Sequence, residues 1–197
     1  IRDNRGLEKL VAMLYHPSPV IQGKVCGSIW NCASNETNRK YLKQIGCIPA
    51  LLELLGTSRN EVVLENAAGA IWNLAGDADN KTQIADYGGI PILIGHLESQ
   101  SVGTLVSVVG TMWNLSSCVE NRPTIRKAGG IPVIIRLLDH HDPHVQENVA
   151  GLLRNLSIND QNKTAVREHG GIEKLLSLIP RAGSATILEK LISTMWI

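Results

Sequence analysis

The sequence predicts an all-α solenoid of repeated helical units, because three sets of markers recur at one constant step of 41 or 42 residues. The first set ends in asparagine and comprises Gly27–Asn31, Gly69–Asn73, Gly110–Asn114 and Gly151–Asn155. The second begins with isoleucine: Ile48-Pro49, Ile90-Pro91, Ile131-Pro132 and Ile172-Glu173. The third pairs asparagine with a basic residue: Asn38-Arg39, Asn80-Lys81, Asn121-Arg122 and Asn162-Lys163. A unit this short cannot bury its own apolar face, so neighbouring units must stack into one continuous core.

One unit, taken as an example, shows why three helices are predicted per repeat. A short helix is predicted at Asn80–Tyr87, and Gly88-Gly89 after it can supply the left-handed turn that ends a helix. A second is predicted at Ile90–Glu98, with Pro91 in the first turn, where an amide N–H has no helical partner. A third is predicted at Ser101–Ser116, because its apolar residues recur at helical spacing. Three helices in a unit of this length are typical of armadillo repeats, whereas HEAT repeats usually have two.

Several segments resemble armadillo repeats of the catenin type. They are Gly88-Gly89-Ile90-Pro91, the stretch from Asn66 to Leu74 that reads NAAGAIWNL, and the stretch from Gly151 to Ser157 that reads GLLRNLS. The piece from Met112 to Cys118, MWNLSSC, is similar to the delta-catenin and plakophilin group. The resemblance covers the whole chain. It implies a right-handed superhelical solenoid whose third helices line a concave surface.

The phase of the markers divides the chain into one array. Residues 1–33 are expected to be a partial repeat, residues 34–75, 76–116 and 117–157 are complete repeats, and residues 158–197 are a repeat truncated in its third helix. Leu7–Tyr15 is then the second helix of the first repeat. Neither end carries the polar face of a capping repeat. We therefore expect a fragment of a longer array, with self-association through the uncapped ends as one open possibility for its oligomeric state.

Composition narrows the classes of function. The formal net charge of +1 argues against bulk nucleic-acid binding, and no apolar run is long enough to cross a membrane. The four cysteines lack metal-ligand spacing; Cys26 and Cys32 fall at apolar positions of the repeat and are expected to be small core residues. Reduced thiols favour the cytoplasm, with the nucleus and cell junctions as further compartments.

The cluster His140, His141 and His144 is expected to be a solvated loop, and neither a cofactor nor a metal is expected. Because no catalytic motif is present, we expect no enzyme.

The first candidate site is a row of asparagines at one position of four successive third helices: Asn31, Asn73, Asn114 and Asn155. Asparagine is a mediocre helix former, so four copies need a reason. A side-chain amide has donors and an acceptor, and can bridge the N–H and C=O of one residue in an extended chain. The resemblance implies this role on the concave surface. The alternative is that each asparagine joins its own repeat to the next one.

The position before each asparagine holds Trp30, Trp72, Trp113 and Arg154. Tryptophan and arginine are enriched at binding hot spots, so a ligand role is one hypothesis. The other is that the indoles pack between repeats. Asn66 and Asn148, seven residues before Asn73 and Asn155, lie on the same helix face and complete the candidate peptide-binding set.

Glycine stands four residues before each asparagine: Gly27, Gly69, Gly110 and Gly151. A glycine inside a helix costs about 1 kcal/mol relative to alanine, so something must approach closely, either a neighbouring helix or a ligand backbone. Nuclear-import adaptors of the armadillo family carry tryptophan at this position. The glycines therefore make an import-type adaptor a less favoured interpretation.

Taken together, the sequence predicts a non-enzymatic scaffold that binds extended or disordered segments of partner proteins along a groove formed by the third helices. The alternative is a structural or assembly module that uses its repeat faces and ends for stacking or oligomerisation.

Overall fold

The computed structural model describes residues 5–179 and residue 189, and these residues contain helices and no strand. The predicted all-α fold is confirmed. Thirteen α-helices follow one another in this part of the chain, with a 3₁₀ turn at Leu137–Asp139 between α10 and α11. Their bounds are α1 Gly6–Met13, α2 Pro19–Cys32, α3 Glu36–Gln44, α4 Cys47–Thr57, α5 Glu61–Leu74, α6 Ala78–Asp86, α7 Gly89–Gly95, α8 Val102–Ser116, α9 Asn121–Lys127, α10 Gly130–Arg136, α11 Pro143–Leu156, α12 Asp160–Glu168 and α13 Gly171–Leu178.

The helix boundaries differ from the predicted ones by a few residues, for local reasons. Helix α6 begins earlier than expected, because the Asp77 carboxylate caps it by accepting from the amides of Asp79 and Asn80. Helix α7 ends at Gly95, where the chain tightens into a turn in which the amide of Leu97 donates to the carbonyl of Ile94. The left-handed turn predicted at Gly88 is present, with φ of 73°. The expected end of the last third helix, at residues 194–197, lies outside the described residues.

The chain forms two compact units, residues 1–93 and residues 94–197. In the first unit, α2 packs along α5, and α5 also packs against α4. In the second unit, α8 packs along α11. Within each unit, therefore, the third helices of successive repeats are direct neighbours, which places the equivalent positions of those helices side by side.

The core is almost entirely aliphatic, since the sequence has no phenylalanine. Fully buried side chains include Leu7, Leu14, Ile29, Leu42, Ile48, Leu51, Leu55, Ile71, Leu74, Ile84 and Ile90.

Cys26 is buried as predicted, and burial raises the pKa of its thiol to about 12. Cys32 is only half-buried, because it ends α2. Burial also shields the Cys26 thiol from reagents, as is usual for a structural cysteine.

The third sequence marker proves to be a cap for the preceding long helix at three of its four positions, whereas the amide of Asn162 donates to the carbonyl of Arg122 in the preceding repeat. The side-chain amides of Asn38, Asn80 and Asn121 each donate, at 3.0 Å, to a carbonyl at the C-terminal end of the preceding third helix. The basic partner completes the cap: Arg39 donates to the carbonyls of Ala33 and Ser34. Arg122 donates to those of Ser116 and Ser117 in the same way. These bonds satisfy carbonyls that have no partner inside the helix, and a cation there suits the helix dipole.

The side-chain oxygen of one of these asparagines lacks a donor, whereas that of Asn162, whose amide is turned toward the preceding repeat, has one. Asn162 Oδ1 accepts a hydrogen bond of 3.0 Å from Arg126 Nε in the preceding repeat. In the described residues, Asn80 Oδ1 is buried without a partner. Lys43 occupies the position equivalent to Arg126, but its ammonium lies 3.4 Å from Asp79.

We therefore predict that Lys43→Arg stabilises the protein. The longer, forked guanidinium can reach Asn80 Oδ1 and keep its contact with Asp79, so the free energy of unfolding should rise by about 1 kcal/mol. Urea denaturation measures the change. Lys40→Arg is the control, because Lys40 is exposed on the same helix and pairs with Glu36. Equal effects of the two substitutions would contradict the prediction.

Candidate functional site

The candidate residues lie on the third helices: α2 and α5 in the first unit, α8 and α11 in the second. In each unit we call the surface that carries these residues the third-helix face; it is defined by the asparagine row, the residue before each asparagine and the glycine four residues before it. The glycine lies about one turn from both the asparagine and the residue before it, which are themselves adjacent, so the three positions border one side of the helix. The packing of α2 along α5, and of α8 along α11, brings equivalent positions of two repeats together in each unit.

The asparagine row joins successive repeats through the backbone. Asn73 Nδ2 donates to the carbonyl of Trp30, 2.9 Å away in the preceding third helix. Asn155 Nδ2 donates to Ser116 Oγ at 3.0 Å, and that hydroxyl donates to the carbonyl of Trp113 at 2.6 Å. The same connection is thus direct in one unit and relayed by a hydroxyl in the other. Asn73 and Asn155 remain half-buried, as does Asn114, while Asn31 is exposed.

Two further asparagines of the candidate set make the same kind of bond about two turns earlier in α5 and α11. Asn66 Nδ2 donates to the carbonyl of Gly23 at 2.9 Å, and Asn148 Nδ2 donates to that of Val106 at 3.3 Å. Asn66 is half-buried and Asn148 is buried. Both therefore hold neighbouring third helices together, which is the role the sequence left as the alternative for the asparagine row.

The glycines explain where the tryptophans lie. A Cβ added at Gly69 would be 2.5 Å from Cδ2 and Cε2 of Trp30, and one added at Gly151 would be 2.6 Å from Cε2 of Trp113. The close approach inferred from these glycines is therefore the indole of the preceding repeat. Trp30, Trp72 and Trp113 are all half-buried, so part of each indole still faces solvent. Arg154, which replaces tryptophan in α11, is exposed.

The asparagine amides of the third-helix face have hydrogen-bonding groups beyond those used between repeats. A side-chain amide has two N–H groups and an oxygen. The bond from Asn73 to Trp30 uses one N–H and fixes the plane of the amide. The second N–H and the oxygen are the groups that could bind the N–H and C=O of an extended chain. Sequence reasoning missed Ser116, whose only signal is a hydroxyl at the position that holds Ala33 and Ala75 in the earlier repeats.

Among the residues that the structure describes, no three His, Cys, Asp or Glu side chains come together as a metal site. The rings of His140 and His141 stack at 4.4 Å, and His140 Nδ1 accepts from the amide of Asp142. None of the described helices is long and apolar enough to span a membrane.

The armadillo/beta-catenin-like repeat model matches three consecutive segments, residues 34–76, 77–117 and 118–158, which together make up more than half of the chain. Human splicing regulator ARVCF is 36% identical over 67 residues, which are 33% of this chain and 7% of ARVCF. The chain therefore spans only a small part of the length of this relative.

Solved structures give the same fold over nearly the whole chain. A computationally designed armadillo repeat protein for modular peptide recognition has a TM-score of 0.93 at 22% identity, covering 99% of this chain and 83% of the design. A designed armadillo repeat protein in complex with the peptide (KR)4 has a TM-score of 0.90 at 22% identity, covering 99% and 82%. At this identity the likeness shows the fold alone. With its all-α solenoid and its three repeat matches, the chain belongs to the armadillo/beta-catenin-like repeat family.

Proposed function

We propose that this protein is a non-enzymatic scaffold that binds extended segments of partner proteins along its third-helix face. The observation that carries the proposal is the Asn73 amide. It is held in place by its bond to the carbonyl of Trp30, it is only half-buried, and its second N–H and its oxygen suit a ligand backbone. An amide that is already oriented loses little freedom when it binds, which favours affinity.

The fold relatives support the same conclusion. One similar design serves modular peptide recognition and another was solved in complex with a peptide. A partner segment that is disordered when free loses conformational entropy on binding, and so it needs many contacts along its length. A face that repeats the same amide and indole in successive helices supplies such contacts. Protein segments, and neither nucleic acid nor membrane lipid, are the partners we propose.

The cysteines suggest the cellular compartment in which the protein acts. The free thiols favour a reducing environment. We propose the cytoplasm, with the nucleus and cell junctions as further places of action.

A second candidate function, a structural or assembly module, is favoured by one observation. Trp30 and Trp113 each pack against the third helix of the next repeat, as expected if the row serves mainly to join repeats. In that case the third-helix face has no ligand. The two candidates differ in whether a linear peptide binds at all.

The test begins with a library of random linear peptides screened on the immobilised chain, followed by affinity measurement in solution. We expect binders whose contact site, mapped by NMR, includes the side-chain amide of Asn73. Methylation of ligand backbone N–H groups should weaken binding about tenfold or more, because it removes the donors that the amide oxygens need. Failure to find any binder, or binders that map to the first helices α3 and α6, would argue for the assembly module.

A basic import-type peptide is expected to bind weakly. Recognition of lysine between paired indoles needs free ring faces, whereas Gly69 covers one face of Trp30. The peptide (KR)4 is a suitable probe. Its affinity should fall steeply with salt and change little in Trp72→Ala. Tight binding at physiological salt that is lost in Trp72→Ala would refute this prediction and restore the import-type interpretation.

A further inference from the structure

The contact between tryptophan and glycine has the same geometry in both units. At Gly69 the nearest atoms to an added Cβ are Cδ2, Cε2 and Cε3 of Trp30, which surround the fusion bond of the indole. At Gly151 they are Cε2, Cζ2 and Nε1 of Trp113. In each case the nearest atom, or one of the two nearest, is a carbon at the fusion of the two rings, which is bonded to three ring atoms and carries no hydrogen. An approach to the edge of the indole would bring rim atoms nearer than this carbon, so the face lies over the glycine. Each indole is therefore flat against the next third helix.

The same tryptophans are also held by their backbone. The carbonyl of Trp30 accepts from Asn73, one turn beyond Gly69 on α5. The carbonyl of Trp113 accepts from Ser116, which accepts from Asn155, one turn beyond Gly151 on α11. One repeat thus supplies the tryptophan, and the next supplies a glycine under its ring and an asparagine at its carbonyl.

At Gly27, which no indole covers, there is nearly enough space for a Cβ atom. A Cβ added at Gly27 would meet the tip of the Asn66 side chain at 3.3 Å, a contact that a small shift relieves. A Cβ added at Gly69 would be 2.5 Å from two ring atoms, closer than any real contact. Alanine at Gly69 must therefore lift the indole, although alanine is the better helix former by about 1 kcal/mol.

We propose that Gly69 and Gly151 are positioning residues. They set the distance between the indole of the preceding repeat and their own helix, so that each ligand subsite is composed of two successive repeats. The subsite takes an apolar side chain of the ligand, which lies on the solvent-facing part of the indole while the asparagine of the following repeat binds the ligand backbone. Covering that surface removes apolar area from water. The ligand half of this inference rests on the proposed function, whereas the positioning of the indole does not.

The experiment compares Gly69→Ala with Gly56→Ala in the full chain labelled with 5-fluorotryptophan, with the ¹⁹F resonance of Trp30 assigned from Trp30→Phe. Gly56 is an exposed glycine of α4, away from the third helices, and a Cβ added there would meet only Ile92, at 4.0 Å. We expect Gly69→Ala to shift the Trp30 resonance and to weaken the peptide selected from the random library about tenfold. Gly56→Ala should do neither. In Trp30→Ala the added substitution Gly69→Ala should have no further effect on affinity, because the ring it displaces is gone. Urea denaturation confirms that each variant is folded.

The outcomes separate the two proposals. An unshifted Trp30 resonance in Gly69→Ala overturns the positioning role, whether or not any peptide binds. A shifted resonance with unchanged affinity overturns the composite subsite, and peptide binding along the third-helix face then still stands. If no peptide binds the wild-type chain, the proposed function fails and the ligand half of this inference fails with it.

Discussion

Replacing Asn73 and Asn114 together with alanine should weaken binding of an extended peptide roughly 30-fold, or about 2 kcal/mol, because several hydrogen bonds to the ligand backbone are lost at once. Fluorescence anisotropy with the library-selected peptide measures the affinity. Gln44→Ala is the control, since Gln44 is exposed at the end of α3 and away from the third helices.

The structure changes the expected stability of this variant. An exposed asparagine in a helix can be replaced by alanine at little cost, and the sequence alone predicts no loss. Asn73, however, donates to the carbonyl of Trp30. Its removal should lower the free energy of unfolding by about 1 kcal/mol. A loss of several kcal/mol with unchanged peptide affinity would show that the row is structural only.

The largest effect on stability is expected for Ile71→Ala in α5. Ile71 is fully buried, and α5 packs against both α2 and α4. Truncation removes apolar contacts and leaves a cavity, which should lower the free energy of unfolding by about 2–5 kcal/mol. Urea denaturation followed by circular dichroism provides the measurement.

Val62→Ala is the matched control on the same helix. Its side chain is 61% exposed, so the change should be within about 0.5 kcal/mol. A similar loss for the two variants would mean that α5 does not bury the face that the structure assigns to the core.

Periodicity was enough to predict the fold class, because a marker that returns at a constant step must occupy an equivalent place in every unit. It was also enough to predict that Gly88 ends a helix, since a left-handed turn is a property of the backbone. The helix ends at Asp77 and Gly95 could not be predicted from periodicity, because they depend on a local cap and a local turn that no repeat pattern reveals.

The candidate site was predictable by position but not by contact. The sequence correctly placed Asn73 and Trp30 on one kind of helix, yet it left open whether each faces a ligand or a neighbour. That choice depends on side-chain rotamers and on the distance between helices, which a pattern of residue types does not contain. The glycine at position 69 was the available clue, because its helix-propensity cost implied a close approach, although not which group approaches.

The contacts between repeats have a consequence for how such a chain can change in length during evolution. A repeat with tryptophan before its asparagine, unlike the repeat that carries Arg154, has both the tryptophan that packs on its successor and the glycine and asparagine that pack on its predecessor. When a whole repeat is copied in tandem, the copy therefore brings both halves of the new junction. A duplication that begins at any other residue but keeps the full 41- or 42-residue step restores the same pairs. Length can thus vary by whole repeats without a compensating substitution, whereas a single Trp30→Ala or Gly69→Ala change breaks a junction that only a change on the other helix can repair.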